Sequence, residues 1–65
     1  MVNLNVGRIR ELMRDKAMRE ENLAYSMGIS PGLLKRLLDR ECVGLYYAVR
    51  MSQVLGVPII EITVA

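Results

Sequence analysis

The chain has no histidine, tryptophan or phenylalanine, and one cysteine among its 65 residues. A lone thiol, Cys42, closes no internal disulfide, and without imidazole a metal site lacks its commonest ligand. The expected setting is reducing, with no metal and no cofactor. No apolar run approaches the roughly 20 residues that cross a bilayer. The opening stretch MVNLNVGRIRE carries no signal-peptide core. These absences point to a cytoplasmic protein without a membrane partner. Missing histidines also remove Cys–His and Ser–His pairings, and no glycine-rich loop is spaced to cradle phosphate. The expectation is a binding protein, not an enzyme.

Sixty-five residues allow one domain, 1–65, with one small core. Nine bases against seven acids give a net charge of +2, which permits a nucleic-acid partner without requiring one. All the bases but Arg50 fall in two groups. Arg8, Arg10, Arg14, Lys16 and Arg19 accompany Glu11 and Asp15; Lys35, Arg36 and Arg40 accompany Asp39 and Glu41. Taken alone, such runs are solvated helix faces.

Apolar spacing predicts a helix over about 6–16, capped by Asn5, with Val6, Ile9, Leu12 and Met13 inward. A second runs over about 19–27, with Leu23, Ala24 and Met27 inward and Met18 placed as a hydrophobic staple. Gly28 ends it, and Ser30 caps a third helix over 31–38, with Pro31 at its first position. Leu34, Leu37 and Leu38 form its inner stripe, which leaves Leu33 as a surface residue. Residues 40–44 read as a loop that holds Cys42. A fourth helix, 45–55, buries Leu45, Ala48, Val49, Ser52 and Leu55, and one of Tyr46 and Tyr47 points outward. The tail, 59–65, suits a short helical turn, with an extended strand as the other option. Ile60, Ile62 and Val64 exceed what so small a core needs, so they are expected in a homodimer patch, by helix packing or by pairing of two tails.

The stretch Leu23-Ala24-Tyr25-Ser26-Met27-Gly28-Ile29-Ser30 has the order of a tight helix corner: a small residue, a glycine, an apolar plug and a cap. With Ile9-Arg10-Glu11-Leu12-Met13, Leu34, Leu37 and Val54-Leu55-Gly56-Val57-Pro58, it resembles the lambda-repressor-like helix-turn-helix domains of the Cro/repressor (XRE) type. The resemblance implies an all-α fold of four to five helices, with the helix-turn-helix at about 19–38. It also implies a small, repressor-like transcriptional regulator that binds double-stranded DNA sequence-specifically as a dimer, its third helix in the major groove.

Carried over by position, Arg19, Ser30, Pro31, Gly32, Leu33, Lys35, Arg36, Arg40 and Tyr46 fall on the DNA side. Ser30 with nearby N–H groups, and the Tyr46 hydroxyl, suit phosphate. Arg36 suits a base and Lys35 a phosphate, while Leu33 suits a thymine methyl. Glu20 replaces a glutamine that in the family often touches phosphate, and Arg40 replaces a glycine. Pro31 and Gly32 offer no side-chain hydrogen bond, so sequence specificity should be modest and salt dependence strong. The competing reading is a protein-interaction module on the same fold, an antirepressor or adaptor, with an antitoxin as a third option.

Overall fold

The computed structural model describes residues 1–64. The elements run β1 (Val2–Leu4), α1 (Val6–Asp15), α2 (Glu20–Met27), α3 (Pro31–Arg40), β2 (Cys42–Val43) and α4 (Leu45–Leu55). A 3₁₀ turn (Ile59–Glu61) and β3 (Thr63–Val64) follow. The protein is therefore mostly helical, but not all-α as the resemblance implied.

The helices begin where local chemistry starts them. The Asn5 side chain accepts from the Arg8 N–H at 3.1 Å, and Ser30 Oγ accepts from the Leu33 N–H at 3.1 Å. Caps of this kind satisfy donors that helix geometry leaves unpaired, and each stabilises by about 1 kcal/mol. Helix α2 starts differently: Asn22 Oδ1 accepts from the Arg19 N–H at 2.9 Å. A guanidinium cannot return the bond, so only half of a capping box forms. Met18 and Leu23 occupy the staple positions; Leu23 is fully buried and Met18 packs against the core.

Gly28 and Gly56 end α2 and α4 in the left-handed region, at φ 76° and 71°. Helix α3 runs two residues past the predicted 38 and ends at Glu41, φ 57°. The left-handed position thus falls one residue after Arg40, on a side chain that adopts it at a cost of about 1–2 kcal/mol. The chain enters β2 at once, so the expected loop at 40–44 holds a strand, and Cys42 lies in it.

The three strands form an antiparallel sheet in the order β2-β1-β3. Val2 pairs with Val43 and Asn3 with Cys42 on one side; Asn3 pairs with Val64 and Leu4 with Thr63 on the other. Val43 and Leu4 are buried beneath the sheet, while Asn3 and Val64 are exposed. Strands of two or three residues carry no readable alternation, so the sheet was hidden in the sequence.

Each helix gives one stripe to a shared core: Ile9, Leu12 and Met13; Leu23, Ala24 and Met27; Leu34, Leu37 and Leu38; Ala48, Met51 and Leu55. Ser52, buried among them, donates to the Val49 carbonyl at 2.7 Å. Three expectations need correction. Ile62, expected in a dimer patch, has no exposed surface, because the pairing of β3 with β1 folds it under the sheet. Leu45 is 63% exposed and Val49 lies at the surface; Val43, two residues before Leu45, is fully buried instead. Leu33 is half-buried and packs against the core rather than standing free. The tail combines both options, a 3₁₀ turn and then a strand, and Ala65 lies outside the described residues.

Candidate nucleic-acid interface

Helix α3 presents two chemically distinct faces. Leu34, Leu37 and Leu38 are buried, whereas Pro31, Gly32, Lys35, Arg36, Asp39 and Arg40 are exposed. The split follows from 3.6 residues per turn: positions three and four apart share a face. The turn Gly28–Ser30 joins α2 to α3, with Ile29 packed against the core, so the start of α3 is fixed by apolar contact as well as by its cap.

Charge on this face is unspent. Among the described residues, Lys35, Arg36 and Arg40 on this face have no carboxylate within ion-pair distance, and neither do Arg14, Lys16 and Arg50 elsewhere. Three other arginines are paired. Arg8 lies 3.7 Å from both Glu11 and Glu61, Arg10 lies 2.8 Å from Glu20, and Arg19 lies 3.8 Å from Glu21. The carboxylate that would repel phosphate at position 20 therefore faces a guanidinium. Spacing along one helix could not reveal that pair, because its partners lie ten residues apart on different elements.

Tyr46 and Tyr47 resolve as one residue out and one in. Tyr47 packs against the core, Tyr46 is 70% exposed, and their rings meet edge to face at 5.6 Å. Tyr46 joins Leu45 and Val49 in an exposed apolar strip on α4. Sequence periodicity missed this strip, since it assigned Leu45 and Val49 to the core. Of the residues expected at a dimer patch, Ile60 and Val64 are exposed and Ile62 is not.

No group of histidine, cysteine or acidic side chains able to hold a metal occurs among the described residues. No helix among them is long and apolar enough to cross a membrane. Comparison with family models, curated proteins and solved structures found no match.

Proposed function

We propose that the protein binds double-stranded DNA as a small helix-turn-helix regulator of the lambda-repressor-like type, with α3 in the major groove. The observation that carries this reading is the outward face of α3. It holds cations without intramolecular partners on a helix whose inner face and N-cap are rigidly built. Side chains already bound to carboxylates would have to exchange one partner for another; Lys35, Arg36 and Arg40 need not.

Arg36 has the planar fork for a guanine edge, and Lys35 and Arg40 serve as phosphate contacts. Pro31 and Gly32 keep the start of α3 slim, so the backbone approaches the groove closely, and Ser30 sits at its entrance. Few groups read bases, so affinity rests mainly on phosphate and specificity is modest. Replacing Lys35 and Arg36 together by alanine should lower duplex affinity by more than about tenfold while leaving stability within about 0.5 kcal/mol. Unchanged affinity in fluorescence anisotropy would sink the reading.

A homodimer fits the same account. The Leu4 N–H donates to the Glu41 carbonyl and the Asn5 N–H, just past β1, to that of Ile62, so successive residues here serve opposite neighbours. By the same alternation the Thr63 N–H and carbonyl point away from β1 along a free edge, beside exposed Val64. Such an edge is a template for a second strand. The exposed strip Leu45, Tyr46 and Val49 favours a second reading, a protein partner on α4.

A further inference from the structure

A second basic locus lies away from α3. Arg10, Met13, Arg14, Met18, Arg19 and Glu20 line an open recess of about 380 Å³ between α1 and the start of α2. Arg10 and Arg14 stand one turn apart on the same side of α1. Buried Met13 and half-buried Met18 supply its apolar walls. Three guanidinium groups thus meet two carboxylates, Glu20 in the recess and Glu21 beside it. Glu20 engages Arg10 at 2.8 Å; Arg14 has no acidic partner among the described residues; Arg19 is largely exposed, with only Glu21 at 3.8 Å.

Two of the three positive charges are offset by carboxylates and that of Arg14 is not, so the recess keeps a net positive charge that attracts an anion. The geometry points to this recess as a binding site for a phosphate group, held by Arg14 and Arg19 with Arg10 fixed beside them by Glu20. Guanidinium forks match phosphate oxygens in pairs, and the first N–H groups of α2 add donors without helical acceptors. None of the lining residues belongs to α3, and only Arg19 is shared with the set assigned to DNA. The phosphate belongs either to the backbone of a bound duplex or to a small phosphorylated ligand. The chemistry of the recess is the same for both.

The test is a titration of ¹⁵N-labelled protein with inorganic phosphate, ionic strength being held constant with chloride and amide shifts followed by NMR. Saturable shifts are expected at Arg14, Arg19, Glu20 and Glu21, with the amides of Lys35 and Arg36 still. The double variant R14Q/R19Q should bind at least about tenfold more weakly, because charge-assisted bonds are lost. Both side chains are exposed, so its spectrum should stay dispersed. Shifts that do not saturate, that persist in the variant, or that spread evenly to α3 would overturn the site.

Two arms then separate the sources. If the variant's salt slope for duplex DNA falls by about 2, the phosphate is the backbone of DNA. If the variant loses inorganic phosphate but keeps its DNA affinity and slope, the site serves a small phosphorylated ligand. Loss of the α3 reading, by an inert Lys35/Arg36 double variant, would leave the phosphate titration standing.

Discussion

Helices α3 and α4 bury similar stripes but offer solvent opposite chemistries. Inward, Leu34, Leu37 and Leu38 match Ala48, Met51 and Leu55 in role. Outward, α3 shows Lys35, Arg36 and Arg40 with one acid, Asp39, while α4 shows Leu45, Tyr46 and Val49 with one base, Arg50. Burial cannot explain the outward difference, since neither set stabilises the core. A cationic face suits a polyanion, and an apolar one suits a protein surface. Two helices that each pack on α2 can thus be read as two separate contacts on one frame.

The comparison breaks most completely at the core both helices share. Leu34 is fully buried, and Leu34→Ala should cost about 2–5 kcal/mol. That is most of the stability of so small a domain, so urea melts should show a largely unfolded chain and both contacts should vanish. A milder break lies at the corner that sets α3. Gly28 has φ 76° and open space where a Cβ would stand. Gly28→Ala should therefore cost about 1–2 kcal/mol from backbone conformation alone. A loss of less than a few tenths would mean the corner relaxes.

Ser30→Ala removes the cap of α3 and should cost about 1 kcal/mol in thermal melts, without touching α4. The smallest effect sharpens the contrast. Leu45→Ser with Val49→Ser should move stability by no more than about 0.5 kcal/mol. It should also leave duplex affinity unchanged in anisotropy titrations. Reduced DNA affinity in that variant would merge the two faces into one.

The helices were legible because their apolar residues recur at helical spacing and their ends carry Asn5, Ser30, Gly28 and Gly56. The sheet was not, since its strands are too short to show alternation and its pairing joins residues about forty and sixty positions apart. That non-local pairing is what buries Ile62 and takes it out of the expected dimer patch. Leu45 shows the converse limit: it keeps the spacing of the buried stripe, yet stands at the helix start with Val43 filling the core beside it. At the candidate interface, the outward positions of Lys35 and Arg36 followed from periodicity, whereas Arg40, expected in a loop, lies in the last turn of α3. The Arg10–Glu20 pair, which joins two helices, required the tertiary fold.

We propose that the cations on α3 are reserved for phosphate-bearing DNA. Fluorescence anisotropy with random-sequence duplex across a series of salt concentrations tests it most directly. Binding at about 10⁻⁴ to 10⁻⁶ M that weakens steeply as salt rises is the expected result. No binding at low salt would contradict it and leave the apolar strip of α4 as the working surface.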